Sequence, residues 1–190
     1  MTPFEYVTVL ISILLGLGIT QIVTGIADII HQWERVTLYW PHLLWILLVF
    51  FLQIQEWWQI YELRNYTSWH LPIFLLMSLY PICLFILSRI LFPISIVDSA
   101  INFKGFYFDN YRKFFLMIIL CILLSTLENL IIHGYTLGGQ SIQIILLTIM
   151  TTLSIAKPKS EWIHKLVVSV LVLVMLTSLA VTWNLWLIKS

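Results

Sequence analysis

Charge is scarce in this sequence. Asp, Glu, Lys and Arg make up 10% of its 190 residues, where a soluble domain carries roughly a quarter. That excludes an ordinary solvated surface, and the formal net charge of +1 excludes a broadly basic nucleic-acid face. Cysteine is nearly missing. Cys83 and Cys121 are the only two, each inside an apolar run, which excludes a disulfide framework and reads as small core residues. No Cys/His cluster has metal-ligand spacing, so neither a metal nor a cofactor is expected. A glycine-rich phosphate loop, a His-Glu-x-x-His motif and a Ser/His/Asp order are all missing as well. Met1 to Val7 holds no positive residue and no small-residue cleavage site follows, so the chain is expected to begin in its first span rather than in a cleaved signal.

What remains is apolar. Hydrophobic residues make up 61% of the chain and its mean hydropathy is +0.97. Six apolar runs predict an all-α polytopic membrane protein, one helical bundle with spans at 4–30, 38–62, 71–92, 114–132, 141–156 and 166–188. A helix needs roughly 20 residues to cross a 30 Å hydrocarbon core, so the fifth run is short; it either crosses with little tilt or is re-entrant. The connection at 93–113 mixes Phe103, Phe106, Tyr107, Phe108 and Tyr111 with Lys104, Asp109, Arg112 and Lys113. It reads as an interfacial segment lying on the membrane, or equally as a loop packed under the bundle.

Within the second run, Phe50 to Leu63 carries an unusual load of polar groups. At about 100° per residue, Gln55, Glu56, Gln59 and Glu62 share one arc of a helix, with Gln53 at its margin. Lipid offers no hydrogen bonds, so such an arc must face other helices, water or a ligand. The first run has a face of Gly18, Gln21, Thr24, Gly25 and Asp28, in which small residues admit a neighbouring helix and polar ones bond across the contact. Gly18 and Gly25 are the expected packing positions. In the fourth run Ser125, Glu128 and Asn129 lie near one end, with Cys121, Ser125 and Glu128 on one stripe. Gln21, Asp28, Gln53, Glu56, Gln59, Glu128 and Asn129 thus form the candidate intramembrane polar set. Its bland reading is helix packing, with each glutamate hydrated near the headgroups or bonded to glutamine.

The basic residues are unevenly spread. With the N-terminus and C-terminus both outside, Arg35, Arg89, Lys104, Arg112, Lys113, Lys157, Lys159 and Lys165 are cytoplasmic, leaving Arg64 and Lys189 outside. This orientation brings Glu56, Glu128, Asn129, His133, Gln140, Gln143 and Asn184 toward the outer side. It also makes Lys104, Arg112, Lys113, Lys157 and Lys159 a cytoplasmic basic face, suited to anionic lipid or a protein partner. Beyond the lipid bilayer, the partners expected are a protein at that face and a second copy of the chain; nucleic acid is not expected.

These features favour a non-enzymatic integral membrane module: a sensor, an accessory subunit or a membrane effector in a stress or defence system. The alternative is a channel or carrier for a small cation or proton that uses the intramembrane carboxylates. A haem or quinone enzyme ranks third, because His31, His42, His70, His133 and His164 lie almost entirely at span ends, with no ligand pair at a diagnostic spacing.

The run I-S-I-L-L-G-L-G-I-T-Q-I-V-T-G-I from Ile11 to Ile26, together with L-Y-W-P-H-L-L-W from Leu38 to Trp45, resembles a group of small, uncharacterised bacterial multi-span proteins. The resemblance covers the first two spans. It implies a bacterial inner (plasma) membrane protein and brings no catalytic residues with it.

Overall fold

Each helix starts where its sequence offers a cap or a proline. The computed structural model describes residues 2–94, 101–158 and 160–181. Helix α1 spans Pro3–His31 and opens on a reciprocal cap: the Thr2 hydroxyl accepts the Glu5 N–H at 3.2 Å, and the Glu5 carboxylate accepts the Thr2 N–H at 2.8 Å. Helices α2 (Trp40–Gln59) and α3 (Leu71–Ile90) carry Pro41 and Pro72 in their first turns, where a missing N–H costs nothing. A 3₁₀ tail, Ile60–Asn65, extends α2. Asn102 caps α4 (Phe103–Ile131) by accepting the N–H groups of Lys104 and Gly105. Helix α5 (Ser141–Ala156) follows a 3₁₀ turn at Leu137–Gln140 and ends at Lys157 in the left-handed region, φ 48°. Helix α6 is Glu161–Val181.

Counting the 3₁₀ extensions, all six helices are long and apolar enough to cross a membrane. Their outward faces fit that medium: Leu17, Val23, Leu75, Leu116 and Leu173 are exposed.

Helix α1 buries Val7, Ile11, Leu15, Gly18, Ile22, Gly25 and Ile29, a stripe repeating every three or four residues. That stripe lies mainly along α3, which is itself buried through Met77, Tyr80, Pro81, Leu84, Leu87 and Ser88 and also packs on α2 and α4. Helix α5 packs on α4, and α6 on α2. Val36 and Thr37 pair in parallel with Ile101 and Asn102, which ties the α1–α2 connection to the start of α4 at one end of the bundle.

The structure corrects the reading of 93–113. Residues 103–113 are neither an interfacial segment on the membrane nor a loop; they are the first three turns of α4, continuous with the span. Asn102 provides the start, and Phe103, Tyr107, Tyr111 and Phe114 recur at helical spacing on one buried stripe. Lys104, Asp109, Arg112 and Lys113 occupy the exposed side. The fourth span therefore begins at Phe103 rather than 114, and α6 begins at Glu161, five residues before the expected 166. The fifth crosses as a full helix: α5 and its 3₁₀ lead-in together run Leu137–Ala156. Val97, Lys159, Trp183, Asn184, Trp186 and Lys189 lie outside the described residues.

Candidate functional site

The last turns of α2 aim Gln55, Glu56 and Gln59 away from the α1–α3 core, into a cavity of about 470 Å³. Helix α4 contributes Ser125 and Asn129, one turn apart, with Ile118, Cys121 and Ile122 deeper. Gln143 of α5, Tyr135 of the α4–α5 connection, Ser178 of α6 and Tyr80 of α3 complete the polar part. Below it the wall turns apolar: Trp45, Leu48, Val49 and Leu52 on α2, Met150 on α5, Leu171, Val174 and Met175 on α6. From Trp45 to Gln59 the cavity follows α2 for about 21 Å at 1.5 Å per residue. It is a deep cleft with a polar end and an apolar end.

Amide groups hold the polar end together. Asn129 Nδ2 donates to Gln140 Oε1 at 3.3 Å, and Gln143 Nε2 donates to Ser125 Oγ at 3.4 Å, so α5 is laced to α4 beside the cavity. Glu56 is the one acidic or basic side chain among the described lining residues. Glu128 lies off the wall but within electrostatic reach of Glu56 and of Tyr80. Its Oε1 is buried and has no hydrogen-bond partner among the described residues. Cys83 of α3 and Cys121 of α4 are neighbours, both as free thiols.

The polar residues singled out in the sequence thus separate into groups. Glu56, Gln59 and Asn129 line the cavity and Glu128 stands behind it. Gln53 does not join them. Fully buried, it donates from Nε2 to Ser88 Oγ at 3.0 Å, and Ser88 passes the bond to the Leu84 carbonyl at 2.8 Å. Its amide lies over Gly18, where an added Cβ would overlap it; a Cβ on Gly25 would overlap the Phe92 ring. Gln21 is half-buried and Asp28 exposed on α1, and neither lines the cavity. Glu62 leaves the arc because the chain has tightened to 3₁₀ geometry by then, and it is exposed. Lys104, Arg112, Lys113 and Lys157 are exposed at the opposite end of the bundle from Glu56.

Two histidines build a separate cluster at that basic end. His42 donates from Nε2 to the Leu91 carbonyl at 2.8 Å, among the rings of Phe103, Phe106 and Tyr107. His164 Nε2 faces the Pro158 carbonyl at 3.0 Å and therefore donates to it. In the neutral ring Nδ1 then accepts from the Tyr107 hydroxyl, also at 3.0 Å. Tyr39 is buried close by; burial, and to a smaller degree the Glu161 carboxylate, hold its phenol above the usual range. Lys104 and Lys165 both pair with Glu161. Among the described residues no group of three His, Cys, Asp or Glu side chains is placed to hold a metal.

Reading the sequence missed Tyr80, Trp45 and the Tyr107–His164 pair. The spacing of Phe103, Tyr107, Tyr111 and Phe114 was an available signal for the last of these, since it is helical. No family model matches this chain, and no curated protein or solved structure does. What the protein does has to be read from the cavity itself.

Proposed function

We propose that this protein is a channel or carrier for a small cation, with the cavity between α2 and α4–α6 as its binding site. The observation that carries this reading is the lining: one carboxylate, Glu56, among neutral amides and hydroxyls, with no Lys, Arg or His among the described lining residues. A carboxylate held in low-dielectric surroundings with no protein cation beside it favours a positively charged solute. This sharpens the non-enzymatic module expected from the sequence into a solute-binding one.

The distribution of basic residues supports an orientation. The end that carries the Val36–Ile101 pairing and the Lys104–Glu161 contact also holds Arg35, Arg89, Arg112, Lys113, Lys157 and Lys165, against Arg64 at the other end among the described residues. By the positive-inside rule the basic end is cytoplasmic, and the polar end of the cavity lies toward the outside. The resemblance of the first two spans favours a bacterial inner membrane. The exposed Lys104, Arg112, Lys113 and Lys157 suit anionic lipid, or an acidic partner, on the inner side.

Flux tests the proposal. Proteoliposomes containing the full chain should pass cations down a gradient, and Glu56→Gln should reduce the rate at least tenfold while the protein stays folded. Equal flux from both proteins would refute it.

A further inference from the structure

The shape of the cavity says more than the sign of its charge. An inorganic cation needs oxygen ligands converging at about 2–2.6 Å on a point. Here Gln55, Glu56, Gln59 and Gln143 line one end of a cleft that runs on for about 21 Å past them. Its volume, about 470 Å³, is in the range of roughly 300–1,000 Å³ that holds organic ligands. The deep end offers nothing to a hydrated ion: Leu48, Leu52, Met150, Leu171 and Val174 form its walls. A bare ion moving there would lose its hydration with no compensating ligand, whereas an apolar group would gain by leaving water. Trp45 lies at the apolar end, while Tyr80 lines the cavity within electrostatic reach of Glu56. Aromatic faces attract organic cations, whose charge is spread over carbon and which cost less to desolvate.

Resting on the cation-binding reading above, we infer that the ligand is an amphipathic organic cation. Its charged head sits at Glu56 between the glutamine amides, and its apolar body extends along α2 toward Trp45. The gradient from polar to apolar wall fixes that direction. Anions are disfavoured by Glu56, and neutral hydrophobes leave its carboxylate without a partner.

Tetraphenylphosphonium is a suitable probe, with triphenylphosphine oxide as its uncharged counterpart. The full chain in detergent is titrated with each by calorimetry, and proteoliposome fluxes of protons and sodium are measured in parallel. We expect saturable binding of the phosphonium, at least tenfold weaker binding of the phosphine oxide, and at least a tenfold loss of phosphonium affinity in Glu56→Gln. Val174→Trp, which fills the apolar end and leaves Glu56 in place, should also weaken the phosphonium at least tenfold. Equal binding of both probes, or Glu56→Gln binding like the wild type, overturns the inference. So does an absence of phosphonium binding alongside Glu56-dependent proton or sodium flux, a result that leaves the broader cation reading standing. No binding and no flux defeats both. Should Glu56→Gln fail to fold, Val174→Trp decides: unchanged phosphonium affinity there overturns the inference.

Discussion

The hydroxyl of Tyr107 and Nδ1 of His164 lie 3.0 Å apart, and through this buried bond the start of α6 is pinned to the start of α4. The imidazole is enclosed by the rings of Tyr107, Phe108, Tyr111 and Phe115, with centroids 4.8–6.0 Å away. Its other nitrogen bonds the Pro158 carbonyl just ahead of α6. Helix α6 therefore has a fixed inner end, whereas nearer its other end Val174 and Ser178 line the cavity. Its inner end is held by hydrogen bonds and ring packing together.

That arrangement orders two substitutions. Tyr107→Phe keeps the ring packing and leaves Nδ1 of a buried histidine unpaired, at about 1–3 kcal/mol. His164→Ala removes the ring, both hydrogen bonds and a fully buried volume, at about 3 kcal/mol or more. Melting temperatures in detergent should fall in the order wild type, Tyr107→Phe, His164→Ala. A His164→Ala variant as stable as the wild type would mean that α6 is not held there.

The glycines of α1 offer a second ordering. Gly18 and Gly25 each lie against a side chain of a neighbouring segment, while an added Cβ at Gly16 meets nothing within 4 Å. Gly18→Leu and Gly25→Leu should each cost about 1–3 kcal/mol by overpacking. Ile22→Leu, a volume-conserving change in the same buried stripe, should cost less than about 1.5 kcal/mol. Gly16→Ala should be neutral or stabilising. Shortening the opposing side chain should relieve the first site: Gly18→Ala combined with Gln53→Ala should be less destabilising than the two single changes added together. Additive effects would separate Gly18 from Gln53.

The six helices were legible because lipid enforces one simple signal, a run of about 20 apolar residues. The bounds of α5 could be read almost to the residue, since Leu137-Gly138-Gly139 and Lys157-Pro158 punctuate both ends. The start of α4 was not, because Lys104, Asp109, Arg112 and Lys113 hide a helical aromatic stripe from any hydropathy window. Glu56 and Glu128 could be assigned a depth along their helices but no azimuth. Whether two helices present those faces to each other depends on α3, which carries Tyr80 between them and which no pattern in α2 or α4 encodes. Gln53 misled for a related reason. It borders the Gln55–Gln59 arc, yet Gly18 on another helix makes the space that draws it into the core.

Orientation has its own measurement. On a chain with Cys83 and Cys121 replaced by serine, a single cysteine at Arg112 or Lys157 should react with a membrane-impermeant maleimide only after the cytoplasmic side is opened. A cysteine at Arg64 should react in intact cells. Both positions are exposed, and they lie at opposite ends of the bundle. The reverse pattern would invert the topology and turn the polar end of the cavity toward the cytoplasm.

The two glutamates should part company when each is replaced. Glu56 lines the cavity and Glu128 stands behind the wall, one buried oxygen without a hydrogen-bond partner among the described residues. Glutamine keeps the size and most of the hydrogen-bonding capacity of glutamate, so Glu56→Gln and Glu128→Gln should both fold and melt close to the wild type. Their fluxes should differ. Glu56→Gln removes the only charge on the cavity wall and should lose at least tenfold; Glu128→Gln, acting at a distance on the same field, should lose less. Glu56→Leu should lower both flux and stability, because the amides around it then face an apolar side chain, at about 1–3 kcal/mol for each polar group left unpaired. Glu128→Leu should be milder in flux than Glu56→Gln. A Glu56→Gln protein that conducts normally, beside a Glu128→Gln protein that does not, would move the binding site from the α2 wall of the cavity to α4.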